Sequence, residues 1–157
     1  MARTGDNPGV IAPPPLLFLG ALALGLALDF GLVRVSTGLP HPLRLVAGAA
    51  LLAVAAALLA GALGRFRRAG TAVEPWRPST ALVTGGVYRF TRNPIYLAMA
   101  LVYAGMALAA DSAVALALLA PLLAVVQTGV IAREERYLEA KFGDAYRRYK
   151  AAVRRWV

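Results

Sequence analysis

The chain has no cysteine, so disulfides, thiolate metal sites and a cysteine nucleophile are all excluded. It has one histidine, His41, too few for a histidine-based metal cluster, and no metal site is expected. Charge is sparse: 16% of the 157 residues are charged, against roughly 25% in an ordinary soluble domain. Acids are the scarcer sign, 8 against 17 lysines and arginines. Internal repeats are absent, and the only compositional bias is richness in alanine and leucine, which helix packing in lipid accounts for.

What the chain has instead is apolar residues in long blocks. Hydrophobic residues make up 59% of it and the mean hydropathy is +0.63. Those blocks are too long for a small soluble core, so the composition is that of a membrane protein, and the length allows one domain. A net charge of +9 raises the question of nucleic acid. The basic residues, however, lie between and after the apolar blocks, as they do in cytoplasmic loops, and no nucleic-acid partner is expected.

The expected fold class is an all-α integral membrane protein with four transmembrane helices. Residues 1–15 form a polar, proline-rich lead-in, with no small-residue cleavage site after a short apolar core, so the following span is read as retained. Membrane helices are expected over 16–35, 43–63, 95–110 and 113–132, because about twenty apolar residues cover a bilayer core of ~30 Å. Backbone groups in lipid must satisfy one another, which makes the spans helical. Asp111-Ser112 leaves room only for a tight turn, so the third and fourth helices form a hairpin. Residues 64–94 are a cytoplasmic loop and 133–157 a cytoplasmic amphipathic tail. Ile131, Leu138, Phe142, Tyr146, Tyr149, Val153 and Trp156 recur along the tail at helical spacing, a stripe that suits a basic helix at the membrane interface. Gly143 interrupts it, and Asp144 is placed to cap a second short helix.

Arginine counting orients the spans. Fifteen of the 17 basic residues fall in the lead-in, the 64–94 loop and the tail, leaving Arg34 and Arg44 on the far side. Both termini and the loop are therefore expected in the cytoplasm, in a multi-pass protein of the cytoplasmic membrane.

Two constellations could carry chemistry. The first is "GVYRFTRNPIYL", residues 86–97, at the entry to the third helix. Asn93-Pro94 reads as an N-cap followed by proline at the first helical position. Its arginines could simply rest on lipid phosphates and its tyrosines in the aromatic belt. That leaves the Gly85-Gly86 pair unexplained, since those glycines would let backbone approach a ligand with free N–H groups. The second is Glu134-Glu135, where the fourth helix leaves the membrane. The pair could neutralise nearby arginines, or hold a cationic ligand. The hairpin places both constellations at the same end, where Arg92 and backbone N–H groups suit a carboxylate and the glutamates an ammonium.

Asp29 within the first span is either neutralised by Arg34 or Arg44 or functional in its own right. The 67–86 loop could lie as a lid over the hairpin's mouth, though composition favours an ordinary interfacial loop. Ala/Gly-rich faces on the second span allow a homo-oligomer without requiring one.

The string "LVTGGVYRFTRNPIYL" (82–97), followed after the hairpin by "EERYLEAKFGDAYRRYKAAVRRW", resembles the isoprenylcysteine carboxyl methyltransferase and phospholipid methyltransferase family, with the "RRAGT" stretch pointing to its bacterial branch. Leu82, Val83, Gly86, Tyr88, Arg92, Pro94 and Tyr96 match the first family motif. Glu134, Glu135, Leu138, Phe142, Gly143 and Tyr146 match the second. The resemblance covers about residues 64–157, and the first two spans match only as generic helices. It implies an S-adenosylmethionine-dependent methyltransferase acting on a lipidic or membrane-partitioned acceptor, whether carboxylate, thiol or amine, with membrane lipids around it. The implied cofactor-binding residues are Leu82, Val83, Gly86, Tyr88, Arg92, Asn93, Pro94, Tyr96, Glu134 and Glu135, with Arg92 and Glu135 as the implied catalytic pair. Asn93 departs from the family, which usually has histidine there, so this position cannot titrate. Arg154 and Arg155 are candidates for orienting an anionic acceptor, or for touching headgroups.

Three other readings stay open on the residues. An NADPH-dependent membrane reductase of related architecture would use Arg65, Arg67 and Arg68 for a 2′-phosphate. A small four-span transporter would work through Asp29. A membrane scaffold would bind no cofactor.

Overall fold

A computed structural model describes residues 7–157; residues 1–6, which hold Arg3 and the start of the polar lead-in, lie outside the described residues. Five continuous helices account for most of the chain: α1 (Pro14–Gly31), α2 (His41–Ala69), α3 (Pro94–Ala109), α4 (Ala113–Phe142) and α5 (Asp144–Ala152). A 3₁₀ turn over Gly86–Arg89 precedes α3, and α4 passes through a π-helical stretch at Gln127–Ile131.

The expectation of four transmembrane helices is corrected. Three helices, α1, α2 and α4, are long and apolar enough to cross a membrane. α3 has 16 residues, about 24 Å at roughly 1.5 Å per residue, short of a ~30 Å core. The tail begins within α4 and breaks at Gly143, the expected interruption. No helical break separates 113–132 from the start of the tail, because Ala132–Phe142 is rich in strong helix formers. α4 therefore projects about ten residues past the length a bilayer core needs. At Gly143, φ is +53°, a conformation open to glycine, and the chain turns there into α5. Asp144 pairs with Arg147 instead of capping α5.

α2 packs on α3, α1 on α4, and the hairpin joins the two pairs. α1 buries Phe18, Leu22, Gly25 and Asp29, one stripe at spacings of three and four. α2 buries only Gly48, Ala55 and Ala62, and Gly48 meets Gly105 so closely that a Cβ on either would strike the other's carbonyl. Small residues thus let the two backbones touch, while Leu43, Val46, Val54 and Leu59 face outward. Such an apolar exterior is untenable in water and belongs to a membrane protein. Inside, the Tyr103 hydroxyl donates to the Ala115 carbonyl at 2.9 Å and ties the hairpin together.

The bundle has two unlike ends. At one, Asp111 takes a positive φ in the hairpin turn, and Ser112 caps α4 by accepting from the Ala115 N–H at 3.1 Å. α1 stops at Gly31 because Arg34 folds back onto buried Asp29, whose other oxygen accepts from the Val35 N–H at 2.8 Å. Asp29 is thus consumed as a chain-reversing anchor. The other end gathers residues from Pro8 onward, the 70–93 loop, the end of α4 and the C-terminal residues.

Candidate functional site

The start of α3 forms one wall of a cavity at this second end. Proline at the first helical position fixes φ where its missing N–H needs no partner, which sets Arg92 and Asn93 just outside the helix. Asn93 occupies the N-cap position as expected, yet its side chain does not cap. Its Nδ2 donates to the Arg155 carbonyl at 2.8 Å instead, because the C-terminal residues fold back against it.

The end of α4 forms the opposite wall. Arg92 Nη2 lies 3.1 Å from Glu135 Oε1, and each side chain is 8% exposed. Glu135 is held on its other side by Arg155, with Nε at 3.0 Å from Oε1 and Nη2 at 2.6 Å from Oε2. One carboxylate between two guanidiniums leaves a net positive cluster. Arg92 Nε and Nη1 are buried and have no hydrogen-bond partner among the described residues. Glu134, the next residue, points elsewhere and accepts from the Tyr96 hydroxyl at 2.7 Å. It lies two residues past the roughly twenty that span a bilayer core from Ala113. Burial pushes its carboxyl up to about 7, with the Tyr96 hydrogen bond opposing and the Glu135 charge adding to the rise.

The cavity between these walls has a volume of about 200 Å³. Of the residues expected at the site, Leu82, Val83, Tyr88, Arg92, Asn93, Tyr96, Glu134 and Glu135 line it. Gly86 and Pro94 do not. Gly86 has φ +66°, and its Cα packs so tightly on the Arg65 guanidinium that a Cβ would clash. Neither glycine of the Gly85-Gly86 pair lines the cavity, and the Arg65 guanidinium packs against both. Pro94 is wholly buried in the helix start.

Several lining residues were not singled out from the sequence: Phe66, Glu74, Ser79, Met99 and Tyr137, together with Pro8, Pro14 and Pro15. Tyr146 and Tyr149 belong to the stripe read as membrane-facing, but the turn at Gly143 folds α5 over the cavity. There the Tyr149 hydroxyl donates to the Tyr88 carbonyl at 2.8 Å. The loop favoured as merely interfacial in fact forms the roof through Ala72–Trp76, and its Ser79 N–H donates to the Tyr137 hydroxyl at 3.1 Å. Burial raises the Tyr88 and Tyr149 hydroxyls and pushes Tyr146 up to about 12, so these tyrosines stay protonated and act as walls and donors. Among the described residues no group of acids and histidines could hold a metal ion.

Chemically, the arrangement sets a buried cation with spare donors and a second carboxylate, Glu134, in one cavity with aromatic walls. It suits a zwitterion attached to a flat or cationic body.

Residues 43–145 match the family described as "Phospholipid methyltransferase". A stretch of 33 residues is 67% identical to an uncharacterized protein of Haemophilus influenzae, covering 21% of this chain and 52% of that protein. The chain thus spans about half the length of the curated relative it matches. No solved structure matches.

Proposed function

The chain belongs to the phospholipid methyltransferase family, and on that premise we propose that it is an S-adenosylmethionine-dependent methyltransferase of the cytoplasmic membrane, acting on a membrane-partitioned acceptor. Arg92 carries the reading. A guanidinium more than nine-tenths buried, with two uncommitted nitrogens, is unfavourable unless an anion completes it. The donors present fit an amino-acid group: Arg92 takes its carboxylate and Glu134 its ammonium.

S-adenosylmethionine supplies an electrophilic methyl on a sulfonium. The chain's own residues do the rest by alignment and exclusion of water. Arg92 and Glu134 fix the two ends of the amino-acid group, so that the acceptor approaches along a set line. Tyr88, Tyr146 and Trp76 close the walls, and a dry site favours a reaction in which charge disperses. An acceptor that arrives ionised needs no base. An ammonium acceptor would have to lose its proton before it enters, because Glu134 is engaged by the cofactor's ammonium, Asn93 cannot titrate and the tyrosines hold their protons.

A second cavity of about 340 Å³, lined by Phe18, Leu22, Leu52, Leu59, Val102 and Met106 among others, supports a hydrocarbon-bearing acceptor. It lies between α1, α2 and α3 and shares Pro15 and Met99 with the polar cavity. A chain lying in it would present its head to Arg92 and Glu134. The excess of arginine at the cavity end supports a cytoplasmic position for that end, and for both chain ends with it.

The reductase reading loses its phosphate site, since Arg67 and Arg68 do not line the cavity. Asp29 is engaged by Arg34 and Val35, which removes the feature that favoured a transporter. Incubating purified protein with methyl-labelled S-adenosylmethionine and a bacterial lipid extract tests the proposal. Label is expected in the organic phase. Binding of NADPH without binding of S-adenosylhomocysteine would overturn it.

A further inference from the structure

The last residues of the chain make an extended strap that crosses behind Arg92. Three consecutive residues supply every tie. The Arg154 carbonyl accepts from the Arg92 N–H at 3.0 Å. The Arg155 carbonyl accepts from Thr91 Oγ1 at 3.1 Å and from Asn93 Nδ2 at 2.8 Å. The Arg155 guanidinium grips both oxygens of Glu135. Trp156 then anchors the strap, donating from Nε1 to Gln127 Oε1 at 2.9 Å and packing on the hydrophobic core. Gln127 opens the π-helical stretch of α4.

We infer that this strap positions Arg92 for its ligand, and that Arg155 is the positioning residue. The inference deepens the proposed function and rests on it. Its logic is competition for Glu135. A carboxylate and a guanidinium prefer the two-bonded fork geometry. Left alone, Glu135 would engage Arg92 through both oxygens and absorb its donors into an internal pair. With Arg155 forked onto Glu135, only Arg92 Nη2 is drawn in, and Nε and Nη1 stay uncommitted. The backbone ties through Arg154 and Arg155 hold residues 91–93 still, so Arg92 cannot swing to recover the lost bonds. Arg155 is not among the residues that line the cavity. It acts through Glu135.

The discriminating experiment titrates the full-length protein in detergent with two ligands. S-adenosylhomocysteine carries the amino-acid group; methylthioadenosine lacks it. Arg155→Gln is expected to weaken S-adenosylhomocysteine by roughly ten- to hundredfold, the range of one charge-assisted hydrogen bond, and to leave methylthioadenosine unchanged. Arg155→Lys keeps the charge but not the fork. It is expected to show a smaller loss with the same selectivity, and it carries the test if the glutamine variant does not fold. Equal weakening of both ligands, or of neither, in variants whose parent binds both would overturn the strap and leave the methyltransferase reading standing. A parent that binds neither ligand would overturn both.

Discussion

Arg92 and Glu135 meet as a buried ion pair, with Nη2 3.1 Å from Oε1, across the open end of the hairpin made by α3 and α4. The pair joins two motifs that the hairpin separates in sequence. It also divides the labour of the two adjacent glutamates: Glu135 is spent on arginines, while Glu134 accepts from the Tyr96 hydroxyl.

That division predicts unequal stability effects. Glu135→Gln leaves two guanidiniums around a neutral amide, one of them more than nine-tenths buried, and breaking such a pair destabilises by about 3 kcal/mol or more. Glu134→Gln keeps an acceptor for Tyr96 and breaks no ion pair among the described residues, so its unfolding temperature should stay near the parent's. Thermal unfolding in detergent checks both. Equal losses would contradict the division.

Ligand binding should depend on pH through Glu134. Its carboxyl is pushed up to about 7 by burial, so it is protonated below that pH and ionised above it. An ammonium needs the ionised form. S-adenosylhomocysteine should therefore bind more tightly as pH rises from about 6 to about 8, one unit either side of that value, since a carboxyl changes charge over such a span. Glu134→Gln should flatten the dependence. In the free protein the sign reverses. Between the ordinary carboxyl range and the raised value the folded state retains a proton that the unfolded chain has released, so stability falls as pH rises. Titrations across this interval measure the first effect and unfolding curves the second.

Filling the apolar groove should separate acceptor from cofactor. Val102 lines it and is 38% exposed, so Val102→Trp adds bulk without rebuilding the core. Methyl transfer to a lipid extract is expected to fall at least tenfold while S-adenosylhomocysteine affinity stays the same. Loss of both together would place the groove outside acceptor binding.

The far end should matter for folding and not for the site. Asp111 accepts from Ser36 Oγ and from both the N–H and Oγ1 of Thr37. Those hydrogen bonds outweigh burial and hold its carboxyl down at about 2. Their contribution is present above the ordinary aspartate range and is lost as pH falls through that lowered value. Asp111→Asn tolerates the same positive φ and so removes charge alone. It is expected to lower the unfolding temperature, as is Asp29→Asn, with S-adenosylhomocysteine affinity unchanged in both. A loss of affinity in Asp29→Asn would reopen a functional role for that residue.

Much of this was legible in the residues, and the exceptions have physical causes. Pro94 marks the start of α3, and Asp111-Ser112 marks its turn into α4, because both residue types act locally. Whether α3 crosses a bilayer is a matter of length, and apolarity alone concealed that its helix is a turn short. Arg133, Glu134 and Glu135 mark where the fourth helix leaves the membrane, and because charge at a membrane surface ends a span and not a helix, α4 runs on to Phe142. Tyr146 and Tyr149 formed a true stripe whose destination depended on the turn at Gly143. The strap of Arg154, Arg155 and Trp156 works largely through backbone carbonyls and one buried carboxylate, and no spacing announces such contacts.

The central claim is that Arg92 and Glu134 form a socket for the amino-acid end of S-adenosylmethionine. Isothermal titration of the detergent-purified protein with S-adenosylhomocysteine, beside Arg92→Gln and Glu134→Gln, tests it most directly. The account predicts saturable binding by the parent and a loss of roughly tenfold or more in each variant. Undiminished binding by both folded variants, or none by the parent, would contradict it.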